Sequence, residues 1–350
     1  MKIIFYVGPS WKPWDASSIK IKGEGGSEIA AATMAQLLAD RGHEVSIYND
    51  PVREGKHGSV DYWHHSKFKN LSCDLLIASR TPGAVDDSYA VRSCKKVLWH
   101  HDTHEYDSLT PERNAKFSCH LALSQWHRNF LKSYYPFIGN VKLTSNGLNT
   151  DLYKRTNIKR DPHKMVWSSS PNRGLHTLVA MMPRIRRIVP DASLDVFYGF
   201  DNWIETCKKT GNQEELMEMR LIKGLAESTA GVKLHGRVSP SQLAEAQLGA
   251  GVWAYSTAWH ETYCITAAEA LCSGIVPVAS NLAALPETLH GFGTLVNGNH
   301  ETIRYQNQFV DQVVKAMLEP ADRESMMQYA QQNLSWNSVC DQWCRDLLIH

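Results

Sequence analysis

Two glutamates eight positions apart bound the segment Glu261-Thr-Tyr-Cys-Ile-Thr-Ala-Ala-Glu269. Carboxylates accept paired hydrogen bonds from vicinal hydroxyls, the groups that sugars and riboses offer. A helix over this segment would separate the two by ~12 Å on nearly one face. With Glu261 at the loop edge, one carboxylate serves one end of a ligand and Glu269 the other. Between them the amides of Tyr263, Cys264 and Ile265 fall at a helix N-terminus, where an anion such as a phosphate is favoured. By themselves two such glutamates also fit an ordinary solvated helix face.

Two further clusters carry possible chemistry. The motif Gly23-Glu-Gly25-Gly26-Ser-Glu28 immediately precedes a helical pattern. It reads either as a phosphate-facing loop or as a flexible connection, and it is neither a dinucleotide fingerprint nor a Walker loop. The run Trp99-His-His101-Asp102-Thr-His104-Glu105 has the residue types of a metal site. His100 and His101 are adjacent and point to opposite faces of an extended chain. His101, Asp102 and His104 could share an ion only on a loop, and no metal is expected. His43 and the pair His64-His65 read as surface or loop histidines. Trp11 and Trp14, in the insert Pro9–Lys22, either stack on a sugar face or pin that insert.

Positioning such residues requires a scaffold. Short apolar runs predict strands at Lys2–Val7, Val45–Tyr48, Leu75–Ala78, Val97–Trp99, His120–Leu123 and Val141–Leu143. A second series falls at Met165–Ser168, Leu194–Tyr198, Val232–His235, Val252–Tyr255, Val276–Ala279 and Thr294–Val296. Helical periodicity covers Ile29–Arg41, Ser124–Tyr135, the stretch following Leu175, Glu214–Ser228 and Trp336–Ile349. Strands alternating with helices imply parallel sheets covered on both faces. Two series imply two doubly wound α/β domains, 1–150 and 151–335, with the helix 336–350 rejoining the first. The polar, basic stretch Asn149–Lys164 reads as the linker.

Composition agrees. The chain has 350 residues, which favours two domains, and a net charge of +1. That balance offers no electrostatic footprint for a nucleic-acid partner. Eight cysteines without a Cys-x-x-Cys pair suit reduced, mostly buried thiols and a cytoplasmic setting. The opening run MKIIFYVGPS reads as a buried strand and not as a secretory signal.

The glutamate pair is followed by Ala270, Gly274, Pro277-Val278-Ala279 and Pro286-Glu287. Together these resemble the nucleotide-sugar site of retaining glycosyltransferases of family 4, which have the GT-B fold. Gly25-Gly26-Ser-Glu28 before a helix, Arg41-Gly-His-Glu-Val45, Asn146-Gly147-Leu148 and Ser169-Ser-Pro-Asn-Arg173-Gly-Leu175 resemble other parts of that family. The resemblance runs from about residue 1 to 290. It implies two Rossmann-like domains facing a central cleft. It also implies that Glu261 binds the transferred sugar, Glu269 the ribose, and Arg173 the diphosphate, with Arg237 assisting. The family's other basic residue is replaced by Ser168-Ser169-Ser170. Gly25 and Gly26 would face the donor phosphates, and His101 of the family's Trp-x-His-Asp would face the donor sugar. His101, Glu261 and Arg173 are therefore the expected catalytic group. Tyr263, Cys264 and Ile265 would add amides to the donor site, and Trp11, Trp14 and Asp102 would contact the acceptor.

The resulting expectation is a metal-independent transferase that moves a sugar from a UDP- or GDP-linked donor to a glycan, lipid or small molecule, with no cofactor. A sugar-nucleotide epimerase and a non-catalytic nucleotide-sugar-binding protein are the alternatives. The basic and aromatic helix at Ser124–Tyr135 reads as a half-buried core helix, with a peripheral membrane contact as its second reading.

Overall fold

The computed structural model describes residues 1–22, 24–105, 109–154 and 157–347. Gly23, and Leu348 and Ile349 of the last helical pattern, lie outside them. The chain forms two compact units, Met1–Leu148 with Leu334–His350, and Asn149–Asn333. Among the described residues no helix is long and apolar enough to cross a membrane.

The first unit is built on eight strands: β1 Lys2–Tyr6, β2 Glu44–Asn49, β3 Gly55–His57, β4 Val60–His64, β5 Ser72–Ser79, β6 Arg92–Trp99, β7 Cys119–Ala122 and β8 Val141–Leu143. Their order is β3-β4-β2-β1-β5-β6-β7-β8. The central strands read KIIFY and SCDLLIAS and are buried almost throughout, as a sheet covered on both faces requires. The sheet is mixed and not wholly parallel, because β3 and β4 form an antiparallel hairpin at its edge. That hairpin escaped the apolar-run criterion: only Val60 and Tyr62 of β4 are fully buried, and they are interrupted by Asp61 and followed by the half-buried Trp63. The chain leaves β1 toward β2 on one side and returns to β5 on the other, so the carboxyl ends of β1 and β5 form a topological switch point, where open α/β sheets bind ligands. The helix Gly26–Asp40 begins at that end. Its buried Ala30, Ala31, Ala32 and Ala35 are small enough to let it lie close to the sheet.

The helix Trp336–Asp346 completes this unit. Trp343 packs edge-on against Trp99 of β6 at 4.6 Å between ring centroids, and its indole N–H donates to Thr144 Oγ1 at 2.8 Å. Arg41 pairs with Asp341 at 2.6 Å. The returning chain runs so close to residues 146–148 that a Cβ on Gly147 would stand 2.5 Å from the Trp336 Cα. Only glycine fits that crossing.

The second unit has six parallel strands: β9 Asp161–Trp167, β10 Ser193–Val196, β11 Val232–Leu234, β12 Ala250–Tyr255, β13 Val276–Ser280 and β14 Thr294–Val296. They run in the order β11-β10-β9-β12-β13-β14, so the switch point lies between β9 and β12. The expected linker Asn149–Lys164 is shorter than its polarity suggested, because β9 already begins at Asp161. Pro162 sits beside the register shift between Ala250 and Val252, a position that needs no ladder donor.

Candidate functional site

In the second unit the switch point is built by the loops after β9 and β12. Gly174 closes the first loop at φ 114°, and a Cβ there would overlap the Ser256 carbonyl oxygen of the second. The two loops can approach only because residue 174 is glycine. The approach brings Arg173 to Glu261, with Nη1 2.8 Å from Oε1. The Tyr255 hydroxyl donates to the same oxygen at 2.6 Å. Among the described residues no hydrogen bond engages the other carboxylate oxygen. Burial works against the Arg173 charge, and the Glu261 carboxylate together with the weaker effects of Tyr255, Cys264 and Tyr198 outweighs it, so the guanidinium stays protonated. The Trp259 ring lies under that guanidinium at 5.2 Å, a cation–π contact. Arg237, on the loop after β11, stacks on Tyr198 at 4.8 Å and bonds its hydroxyl at 2.9 Å; Tyr198 also acts electrostatically on Arg173.

Glu261 lies in the loop, not on the helix, which spans Ile265–Ser273 with Cys264 as its N-cap. Cys264 holds φ 66°, a left-handed conformation that costs a non-glycine residue ~1–2 kcal/mol. Tyr263 and Cys264 are buried, so their side chains are not open to solvent at this end. Ser169 meets Thr266 at 3.2 Å and ties the helix start to the β9 loop. Glu269, one turn further along, accepts from Gln247 Nε2 at 3.1 Å, and Gln247 in turn accepts from the buried Tyr153 hydroxyl at 2.9 Å. Burial lifts the Glu269 carboxyl to about 7, with the Gln247 bond opposing it. Around the β9 loop three buried polar atoms lack a partner, Ser168 Oγ, Asn172 Oδ1 and His176 Nδ1. Unsatisfied buried groups are uncommon.

In the first unit the structure gathers Gly25, Gly26, His101 and Asp102 around a residue that sequence reasoning missed. Gly25 caps the helix Gly26–Asp40. Arg80, the first residue after β5, donates to Ser27 Oγ at 2.7 Å, lies 3.5 Å from Glu28, and pairs through Nε with Asp102 at 2.7 Å. It thereby links the glycine loop to the end of β6. Its signal was positional: a charged residue just past the carboxyl end of a strand with the apolar run Leu75–Ala78.

His101 is buried, its ring against Trp99 at 4.4 Å, and burial followed by Arg80 holds it well below the usual histidine range. The surrounding histidines form an interior hydrogen-bonded network. His100 bonds His120 at 3.0 Å and contacts Glu105. His127 accepts the Leu123 amide through Nδ1 at 3.2 Å. Its Nε2 therefore carries the proton and donates to the Asp102 carbonyl at 3.0 Å. His104 turns toward Tyr134, 5.2 Å between rings, so His101, Asp102 and His104 do not converge. Burial depresses His100, His120 and His127 to about 3.

The two tryptophans of the insert part ways. Trp11 is 75% exposed and Trp14 only 1%. The Trp14 carbonyl accepts from Asn49 at 2.7 Å, and the ring meets the edge of Tyr62. Trp14 therefore pins the insert and has no face to offer an acceptor.

Residues 163–333 match the family model Glycosyl transferases group 1. No curated protein matches the chain. Among solved structures, sucrose-phosphate synthase from Thermosynechococcus elongatus superposes with a TM-score of 0.72 at 16% identity over 99% of each chain. Anabaena HepE, solved with UDP and glucose, gives 0.66 at 17% over 99% of each. The trehalose-6-phosphate synthase from Burkholderia multivorans gives 0.66 at 11%, covering 99% of this chain and 96% of that one. At such identities the likeness is one of fold. The chain thus consists of two α/β units of the kind found in GT-B glycosyltransferases, and its second unit is the one matched by the glycosyl transferases group 1 model.

Proposed function

We propose that the protein is a retaining glycosyltransferase that takes a sugar from a nucleoside-diphosphate sugar and delivers it to a carbohydrate, lipid or small-molecule acceptor. The observation that carries this reading is the Arg173–Glu261 pair at the switch point of the unit that matches the family. Arg173, with Arg237 nearby and the amides at the start of the helix Ile265–Ser273, would stabilise negative charge growing on a leaving diphosphate. Preorganised stabilisation of this kind is commonly the largest catalytic contribution. Glu261, oriented by Tyr255 and Arg173, offers its second oxygen to sugar hydroxyls, and Glu269 offers its carboxylate to the ribose. In the first unit, Gly25, Gly26 and His101 would serve the donor, and Trp11 and Asp102 the acceptor. UDP is the first nucleotide to try, because a structurally similar protein was solved with UDP and glucose. Eight cysteines without a disulfide suit the reducing cytoplasm.

The test combines UDP- and GDP-sugar binding with mass spectrometry of the products for wild type and Glu261→Gln. The substitution should lower transfer, or donor hydrolysis without acceptor, by ~10²–10³-fold and leave nucleotide affinity within a few-fold. Full turnover in Glu261→Gln would overturn the assignment. Nucleotide binding with no turnover in wild type would favour a binding protein.

A further inference from the structure

Away from the residues discussed so far, a second cluster of ligating side chains stands at the edge of the first unit. Among the described residues, Asp50, His64 and His65 are the group of three whose ligand atoms all lie within 4.8 Å of one another. His64 Nε2 is 3.1 Å and His65 Nε2 3.2 Å from the same oxygen, Asp50 Oδ1. In sequence this pair reads as surface or loop histidines, and adjacent residues of a strand diverge. The structure removes the objection. β4 ends at His64 and a 3-10 turn begins at His65, so the chain bends between them and both rings point at Asp50. The rings lie 4.4 Å apart at 35°.

We propose that Asp50, His64 and His65 form a divalent transition-metal site, suited to Zn²⁺, that fastens the end of β4 to the insert preceding the glycine loop. Tetrahedral Zn²⁺ with bonds of about 2.0–2.2 Å separates its ligand atoms by about 3.3 Å, close to the two nitrogen–oxygen spacings observed here. Two imidazoles and one carboxylate select Zn²⁺, Ni²⁺ or Cu²⁺ over Mg²⁺ and Ca²⁺. A supporting bond of the kind that orients metal ligands is in place on Asp50; on His64, Nδ1 accepts the Ser66 amide at 3.3 Å, so Nε2 gives up its proton when an ion binds. His64 Nδ1 meets Ser66 Oγ at 2.7 Å, and Asp50 Oδ2 accepts the Ser10 amide at 2.8 Å. All three side chains are partly exposed, 46%, 28% and 21% for His64, His65 and Asp50, which gives an ion an entry path and a water as fourth ligand. The Asp50 carbonyl accepts the Trp14 amide at 2.9 Å, so the ion would hold Ser10 and Trp14 through one residue. Without an ion the two Nε2 atoms are placed to donate to Asp50 instead.

The experiment is calorimetric titration of Zn²⁺ into the full chain, free of any affinity tag and stripped with chelator. Wild type should take up one equivalent. His64→Ala and His65→Ala, each checked for retained circular dichroism, should lose at least ~10-fold in affinity, and His163→Ala, on the second unit, should not. Zinc-edge X-ray absorption on the loaded wild type supplies a reading independent of any variant, with two imidazoles and no sulfur expected. No uptake by wild type, affinity unchanged in both variants, or sulfur ligation would each overturn the proposal.

Discussion

Acidification from pH 6.5 to 5 should destabilise the first unit through its buried histidines. His120 and His127 are held to about 3, and His101 well below its usual range, all chiefly by burial. In the unfolded chain each titrates near 6.5. The folded values are depressed, so their stabilisation is present above pH 6.5 and is lost as pH falls toward 3. Stability changes with pH by ~1.4 kcal/mol per unit for each proton that the unfolded chain binds in excess. Three histidines, left neutral in the fold and mostly charged outside it, give a slope of about 4 kcal/mol per unit near pH 5.5 and a loss of about 5 kcal/mol between pH 6.5 and 5. His100 is left out of this count because it touches Glu105. A loss of that size is comparable to the whole stability of many domains, about 5–15 kcal/mol. The assay is hydrogen exchange by mass spectrometry on peptides covering β6 and β7 during urea titrations at several pH values, which reads the first unit without assuming that both units unfold together. His120→Gln should reduce the slope by about a third. A flat stability between pH 6.5 and 5, or an unaltered slope in His120→Gln, would refute the view that these histidines are held neutral.

Nucleotide affinity should rise from pH 6 to pH 8 as Glu269, lifted to about 7 by burial, ionises and becomes a better acceptor for ribose hydroxyls; calorimetry on Glu269→Gln should show weaker binding with that dependence removed. Gly174→Ala forces a Cβ onto the Ser256 carbonyl at φ 114°. It should cost the second unit ~3 kcal/mol or more, visible as a lower denaturation midpoint, and should weaken nucleotide binding. Trp343→Ala removes a buried ring packed on Trp99 and should cost the first unit ~3–5 kcal/mol, read by exchange on the β6 peptides.

Every apolar run read as a strand lies on a strand, because parallel strands buried on both faces announce themselves by continuous hydrophobicity. Elements with polar outer sides were harder to see. The β3–β4 hairpin went unread, as did the helix Pro240–Leu248, although Ser239 and Gln242 form a complete capping box before it. At the candidate site, Arg173 and Glu261 were both visible as residues of loops following strands. Their direct bond, made across 88 positions, depends on the order β9-β12, which no local pattern encodes. Tyr255, Trp259 and Tyr198 were missed for the same reason, being ordinary aromatic residues until the topology sets them beside Arg173. Trp14 shows the converse: a tryptophan in a Gly- and Pro-flanked insert looks available, yet its indole was needed inside. The reasoning that adjacent histidines diverge suited His100 and His101 but not His64 and His65, where a turn begins between the two.

The return of the helix Trp336–Asp346 to the first unit has a consequence for synthesis on the ribosome. The second unit is encoded entirely within Asn149–Asn333, so all of it has been made before Trp343 emerges. The first unit, begun earlier, must wait with Trp99 and Thr144 uncovered until that tryptophan arrives. Vectorial translation therefore lets the later-encoded unit finish folding first and makes the earlier one dependent on it for timing. The exposed β6 surface is the interval's natural substrate for a chaperone.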